Sequence, residues 1–182
     1  MSISKKSFVL PLAAAALALC QAAAAQSAAP RLGYVQLGVA EHNVHTEAVG
    51  VRLPWHTFGN GRWQLDADLS VAHWSSRPWI DGGSRRSTVV FEATPAFRFE
   101  ASNYLYLTGG IGLTLANRKY RNHGRRFSTF YNFATHLGAG VWLDGAQRTH
   151  ALELRVQHVS NASIKKPNPG EDFVQLRYLH RF

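Results

Sequence analysis

The sequence contains one cysteine in 182 residues, and charged residues make up only 17% of it. A single cysteine excludes an intramolecular disulfide framework and a zinc site built from cysteine pairs. The low charge, beside a hydrophobic share of 46% and an aromatic share of 12%, excludes a disordered chain. After residue 26 no apolar run approaches the roughly 18 residues that a transmembrane helix needs. The length allows one domain.

The first 25 residues have the pattern of a secretory signal peptide. Two lysines precede an apolar stretch at residues 8–19, and small residues lead to Ala25, after which we expect cleavage. The stretch is too short for a membrane anchor helix, which needs about 20 residues. Lipoprotein processing at Cys20 is disfavoured because a bulky leucine precedes it. We therefore predict a signal peptide at 1–25 and one exported domain at 26–182, which can enter a membrane only as a barrel.

Apolar side chains recur at every second residue from Arg31 onward, which is the period of a β-strand. Eight such runs of about 9–14 residues follow one another, and no amphipathic helix separates them. The alternation is clearest within residues 34–40, 48–53, 62–73, 87–100, 104–117, 129–143, 152–157 and 174–179. The sequence therefore predicts eight strands.

Short and long connections alternate between these runs. Tight turns rich in Gly, Asn and Asp are expected at 58–61, 101–103 and 144–147, and longer polar loops at 41–46, 75–86, 117–128 and 161–172. Short turns at one end and long loops at the other are typical of bacterial outer-membrane barrels with periplasmic turns. The chain also ends in Phe182 after an alternating apolar strand, which resembles the outer-membrane insertion signal.

A soluble periplasmic barrel or sandwich would show the same alternation. However, the inward positions of the predicted strands include Asp66, Asp68, Glu92, Glu153 and Arg155. These are too many charges for the dry core of a small soluble domain, whereas the interior of a membrane barrel is polar. The fold we predict is an all-β, eight-stranded antiparallel barrel that spans the outer membrane.

One histidine and one serine near the end of the seventh strand are candidates for chemistry. His158 and Ser160 are two residues apart, so their side chains leave a strand on the same face, where an imidazole can take a proton from a serine hydroxyl. That face continues the apolar stripe of Leu152, Leu154 and Val156, which predicts that it faces lipid. The spacing alone also fits a strand end entering a polar loop. With a periplasmic N-terminus, the seventh strand ends at the cell surface, near lipid A.

Two segments around this pair are similar to a known family. His-Val-Ser-Asn-Ala at 158–162 and Lys-Lys-Pro-Asn-Pro-Gly-Glu-Asp at 165–172 closely resemble the lipid A 3-O-deacylase (PagL) family, and the motif match extends from Arg155 to about Phe173. Members of this family are small eight-stranded outer-membrane barrels whose serine hydrolase site faces lipid. The resemblance implies hydrolysis of the ester-linked 3-hydroxyacyl chain at position 3 of lipid A, without a metal or another cofactor.

The resemblance also implies roles for individual residues. Ser160 would be the nucleophile and His158 the general base. Matching the turn without gaps places Asp172 at the position of the acid that orients the imidazole, and strand parity agrees because Asp172 shares the outward face; Glu171 serves instead if the loop shifts by one residue. Asn161 corresponds to a residue proposed for the oxyanion hole, and Asn168 to a residue that positions the acid or the substrate. Ser163 stands where the family often has Gly.

Basic residues are concentrated in the expected long loops. The whole sequence has 20 lysines and arginines against 11 acidic residues. The resulting net charge of +9 favours an anionic partner. Two interpretations stand beside each other: a solvated loop surface, or contacts to the phosphates of lipid A. The residues concerned are Arg77, Arg85, Arg86, Arg118, Lys119, Arg121, Arg125, Arg126, Lys165 and Lys166. Nucleic acid is discounted because no recognition motif accompanies the charge and the chain is exported.

Two other functions remain as alternatives. Some outer-membrane phospholipases also carry His-x-Ser on the barrel wall, but those barrels have more strands and use calcium. A non-catalytic barrel that serves adhesion or envelope integrity would need neither His158 nor Ser160. The sequence leaves the acyl-chain preference and the oligomeric state open, a homodimer included.

Overall fold

Eight long antiparallel strands close into one barrel in the computed structural model. The strands are β1 (Leu32–Ala40), β2 (Val44–Phe58), β3 (Trp63–Ser76), β4 (Arg86–Glu100), β5 (Leu105–Ala116), β6 (Tyr131–Trp142), β7 (His150–Ser160) and β8 (Glu171–Arg181). Each strand pairs with the next along the chain, and β8 pairs with β1 to close the barrel. The predicted fold class is therefore confirmed.

The structure describes residues 31–41, 43–76, 86–122 and 125–182. The expected signal peptide at 1–25 lies outside these ranges, as do Arg77 and Arg85. Within the described ranges, no helix is long and apolar enough to cross a membrane.

The alternation of the sequence separates the two faces of the wall. On β7, Leu152, Leu154 and Val156 are exposed on the outside, while Glu153 and Arg155 between them are buried inside. The outward face of β1 follows the same rule, with Leu37 65% exposed. Apolar side chains outside and charged side chains inside are the arrangement that lipid requires, which confirms the inward placement predicted for the charges.

An ionic network fills the lumen at the middle of the barrel. Arg52 donates to Asp68 at 3.1 Å and to Glu153 at 2.9 Å, and Arg177 donates to the same Asp68 at 2.6 Å. The hydroxyl of Tyr34 also donates to Asp68. Each of these side chains is 5% exposed or less. Buried charges of this kind are tolerated because each is paired and hydrogen-bonded.

A second layer, made of apolar side chains, fills the lumen nearer the end that carries the loops. Trp74 packs against Phe173 and against Tyr120, and Tyr120 packs against Phe127. Tyr120 and Phe127 belong to the loop 117–130, and their side chains are buried in the mouth of the barrel. Burial raises the pKa of Tyr120, so its hydroxyl stays protonated and donates to Glu171 at 2.9 Å. We call this layer the cap, and we include in it Glu171 and Arg125, whose guanidinium lies 3.8 Å from the Glu171 carboxylate.

The predicted turns at 58–61, 101–103 and 144–147 and the predicted loop at 117–128 fall at connections between strands. The predicted loop at 161–172 is two residues too long, because β8 begins at Glu171. The expected loop at 75–86 lies almost entirely outside the described residues. The largest difference is at 41–46. Residues 41–46 were expected to form a longer loop, but β1 ends at Ala40 and β2 begins at Val44, which leaves a three-residue turn. The ladder continues through Ala40 with Val44 and Val39 with His45 because Val44 and Thr46 are buried inside. The loop 161–170 and, apart from residues 123 and 124, the loop 117–130 are long connections that the structure describes at this end.

Candidate active site

A hydrogen bond joins His158 and Asp172 on the outer surface of the barrel. The two residues are direct partners in the β7–β8 ladder, and His158 Nδ1 lies 2.7 Å from Asp172 Oδ1. Both side chains point outward, and they are 52% and 79% exposed. A carboxylate that accepts the Nδ1 proton fixes the tautomer of the ring and leaves the Nε2 lone pair available as a base.

Ser160 is the last residue of β7 and lies half-buried, opposite Phe133 of β6. It is two residues from His158, so the two Cα atoms are about 6.6 Å apart on the same face of the strand. Among the described residues, no hydrogen bond joins the Ser160 hydroxyl to His158. In structures without substrate such contacts are often long and tighten only in the complex. His158, Asp172 and Ser160 thus form one outward-facing group.

Glu171 occupies the other face of the wall. It is 1% exposed, accepts the hydrogen bond from Tyr120 and lies 3.8 Å from the Arg125 guanidinium. Successive residues of a strand point to opposite sides, so the barrel wall separates the Glu171 carboxylate from the His158 ring. The structure brings Asp172 to the histidine and places Glu171 in the cap.

Asn161 and Asn168 hold the loop 161–170 in shape. The side-chain nitrogen of Asn161 is buried and donates to the Lys165 carbonyl at 2.8 Å, and it also lies within hydrogen-bond distance of the Ser128 and Thr129 hydroxyls. Asn168 Oδ1 accepts the backbone N–H of Asn161 at 2.9 Å. The oxyanion and positioning roles of these two residues stay predictions. The hydrogen bonds of Asn161 and Asn168 fix the backbone directly after Ser160.

That backbone passes through two left-handed residues. Ala162 has a φ of 52° and Ser163 a φ of 61°. A Cβ atom disfavours this conformation, whereas glycine adopts it freely. The family pattern of Gly at position 163 therefore has a structural reason, and this chain keeps the same backbone shape with a serine.

Replacing Ser163 by glycine should stabilise the barrel. We expect Ser163→Gly to raise the free energy of unfolding by about 0.5–1 kcal/mol, because the left-handed strain at φ 61° is removed. Urea unfolding of the refolded protein measures the change. Ser70→Gly, in the middle of β3, is the matched control and should lose stability, because glycine weakens a regular strand. Equal losses for both variants would contradict this account.

Gly170 is absent from the predicted site residues, yet it lies against the ring of His158. A Cβ atom added to it would stand 2.9 Å from His158 Cε1. Its only signal in the sequence is its place in the Pro-Asn-Pro-Gly turn directly before the two acidic residues. Periodicity cannot reveal such a contact, because it depends on how the loop returns to the strand.

The basic loops lie next to this site. The Ser128 hydroxyl donates to the Lys165 carbonyl at 2.7 Å, which ties the loop 117–130 to the loop 161–170. Arg125 is half-buried and lies 3.8 Å from both Glu41 and Glu171, so it contributes to the cap. The other predicted cations of these two loops are exposed: Arg118, Lys119, Arg121, Arg126, Lys165 and Lys166. In the described part of the chain, no three His, Cys, Asp or Glu residues are grouped to hold a metal ion.

Fold and site together define a class of protein: a membrane-spanning β-barrel with a histidine, a carboxylate and a serine on the outer face of its wall. The model of the family described as lipid A 3-O-deacylase (PagL) matches residues 46–181. A lipid A deacylase PagL of Bordetella bronchiseptica is 34% identical over 178 residues, which cover 90% of this chain and 92% of the relative. The chain belongs to the lipid A 3-O-deacylase (PagL) family, as its motifs predicted.

Solved structures agree on the fold. The crystal structure of the outer membrane enzyme PagL superposes with a TM-score of 0.61 at 21% identity and covers 82% of this chain and 98% of its own. A designed transmembrane β-barrel gives a TM-score of 0.52 at 12% identity and covers 86% of this chain and 98% of its own. The chain is an outer-membrane β-barrel, as predicted.

Proposed function

We propose that this protein hydrolyses the ester that links a 3-hydroxyacyl chain to position 3 of lipid A, with Ser160 as nucleophile, His158 as general base and Asp172 as the orienting acid. One observation carries the proposal: the 2.7 Å contact between His158 and Asp172 lies on the outside of the barrel, beside a serine on the same face. A polar group of this kind on a lipid-facing wall is unfavourable unless it has a function. Family membership supplies the substrate class.

The reaction follows from the placement of the three side chains. Ser160 Oγ attacks the ester carbonyl while its proton passes to His158 Nε2, and the Asp172 carboxylate stabilises the imidazolium. The tetrahedral intermediate collapses by breaking the bond to the sugar oxygen, which takes the proton from Nε2. A water molecule then attacks the acyl-serine and gives its proton to His158. Cleavage of the serine ester releases the 3-hydroxy fatty acid and restores Ser160.

The developing oxyanion needs N–H donors that are already in place. The Asn161 side chain is committed to the loop, so we assign it a supporting role, with Asn168. The backbone N–H groups of Ala162 and Ser163 come next along the chain, where both residues have a positive φ, and neither N–H donates in the described backbone hydrogen bonds. We assign the oxyanion contacts to these two N–H groups.

The exposed cations beside the site fit an anionic lipid. Lys165 and Lys166 lie in the same loop as Asn161 and Asn168, and the tie from Ser128 keeps the arginines of the neighbouring loop close. Lipid A carries phosphates that arginine and lysine bind well. We propose that this set contacts those phosphates and holds the ester at the height of Ser160.

Mass spectrometry of lipid A tests the function. Cells that lack any deacylase but make the wild-type protein should lose one 3-hydroxyacyl chain from lipid A, while cells that make Ser160→Ala should keep it, because no nucleophile remains. Ser70→Ala, which alters a half-buried serine of β3, is the matched control and should behave as wild type.

Unchanged lipid A beside a folded wild-type barrel would overturn the proposal and favour the non-catalytic alternative. Deacylation by both the wild type and Ser160→Ala would mean that the nucleophile is another residue. Release of acyl chains from glycerophospholipids, with lipid A intact, would favour the phospholipase alternative.

A further inference from the structure

Gly170 is the residue at which the loop 161–170 returns to the barrel wall. It is buried, has a φ of +70° and directly precedes β8. Two residues later on the same chain, Asp172 bonds to the Nδ1 atom of His158. The segment 170–172 therefore lies alongside the imidazole.

The backbone of Gly170 also approaches one edge of the ring. A Cβ atom built on Gly170 would stand 2.9 Å from His158 Cε1, 3.5 Å from Nε2 and 3.8 Å from Nδ1. The first distance is shorter than real Cβ atoms adopt, since ordinary contact begins near 3.4 Å. The space beside the ring therefore admits a hydrogen atom and excludes a methyl group.

We infer that Gly170 is a positioning residue for the reaction proposed above, because its bare Cα sets how close the His158 ring lies to β8. The inference rests on the proposed function and adds a residue to it. The hydrogen bond to Asp172 fixes one atom of the ring but still allows the ring to tilt about that bond. Contact along the Cε1 edge stops this tilt on one side. Together the two contacts determine where Nε2 points, and Nε2 is the atom that must take the proton from Ser160.

A methyl group at position 170 would move the ring by several tenths of an ångström. Proton transfer depends steeply on such a displacement, and an error of about 1 Å can lower a rate by about 10²-fold. The surfaces that bind lipid A are unchanged by it. The geometry thus predicts an effect on kcat and little effect on KM.

Gly61 is a matched control elsewhere in the barrel. It also has a positive φ, +83°, and a Cβ atom built on it meets nothing within 4 Å. Gly61→Ala and Gly170→Ala therefore impose a similar left-handed strain, but only Gly170→Ala touches the histidine. Any difference in activity between the two variants comes from the contact with the ring.

The experiment measures kcat and KM on purified lipopolysaccharide for the refolded wild type and both variants, with Gly170→Val as a larger substitution. We expect kcat to fall about 10–100-fold for Gly170→Ala and at least as far for Gly170→Val. KM should stay close to wild type, and Gly61→Ala should keep the wild-type kcat. Barrel folding is checked by circular dichroism before each assay.

The other outcomes would overturn either the positioning role of Gly170 or the proposed function. A wild-type kcat for folded Gly170→Ala would overturn the positioning role and leave the proposed function intact. An equal loss of kcat in Gly61→Ala and Gly170→Ala would assign the effect to backbone strain, and a loss confined to KM would assign it to lipid binding; both overturn the inference. A folded wild-type protein without activity would overturn the proposed function itself.

Discussion

Replacing Asp172 by asparagine should lower kcat for deacylation by about 10³–10⁴-fold, with the barrel still folded. The reason is the 2.7 Å contact between Asp172 Oδ1 and His158 Nδ1. A carboxylate only accepts hydrogen bonds, so it holds the proton on Nδ1 and leaves Nε2 as the base. An amide of the same shape can donate to Nδ1 instead, which moves the ring proton to Nε2, and it cannot stabilise the imidazolium. Steady-state kinetics on lipopolysaccharide measure the change.

Glu171→Gln is the matched control for this prediction, since it removes the neighbouring carboxylate on the inner face of the wall. The Tyr120 hydroxyl can still donate to the amide oxygen, so the cap persists. We expect kcat close to wild type for this variant. The reverse result, with activity lost in Glu171→Gln and kept in Asp172→Asn, would show that the loop shifts by one residue and that Glu171 is the acid.

Removing the Asp68 side chain should destabilise the barrel by about 3–5 kcal/mol, a loss typical of breaking a buried ion pair. Asp68 accepts hydrogen bonds from Arg52, Arg177 and Tyr34, and all four side chains are buried in the lumen. In Asp68→Ala, Arg52 keeps its ion pair with Glu153. Arg177 loses its closest charged partner, which lies at 2.6 Å in the wild type. The free energy of unfolding is measured by urea titration of the protein in lipid vesicles.

Glu47→Ala is the control for the network, because it removes one carboxylate from an exposed position on the outer face of β2. Its loss leaves no buried cation unpaired, so we expect no loss of stability. If Asp68→Ala and Glu47→Ala unfolded at the same urea concentration, the network would contribute nothing and the apolar contacts of the wall would account for the stability.

The strands of the barrel wall could be predicted because successive side chains of a strand point to opposite faces. Apolar residues at every second position therefore mark the face toward lipid. The same parity predicts that Asp172 and Glu171 point to opposite faces, and in the structure Asp172 lies outside with His158 while Glu171 is buried inside. The turn at 41–43 was predicted too long because polar residues there resemble a loop, although Val44 and Thr46 already alternate in the ladder.

Contacts made by the loops could not be predicted in this way. The cap depends on Tyr120 and Phe127 folding back into the lumen, and no period in the sequence marks that return. The contacts of the Asn161 side chain with Ser128 and Thr129 depend on the path of the loop 117–130, which the residue type does not reveal. The proximity of Gly170 to His158 could not be predicted for the same reason, because it depends on how the loop 161–170 returns to the strand beside His158.

The side chains that fill the lumen decide what can cross the membrane through this protein. The ionic network and the cap lie one above the other inside the described barrel. In a barrel of eight strands the interior is just wide enough for side chains to fill it. Ions, nutrients and antibiotics therefore gain no route through this barrel, in contrast to a porin. Insertion of this barrel therefore adds a wall of lipid-facing side chains to the membrane and no aqueous channel.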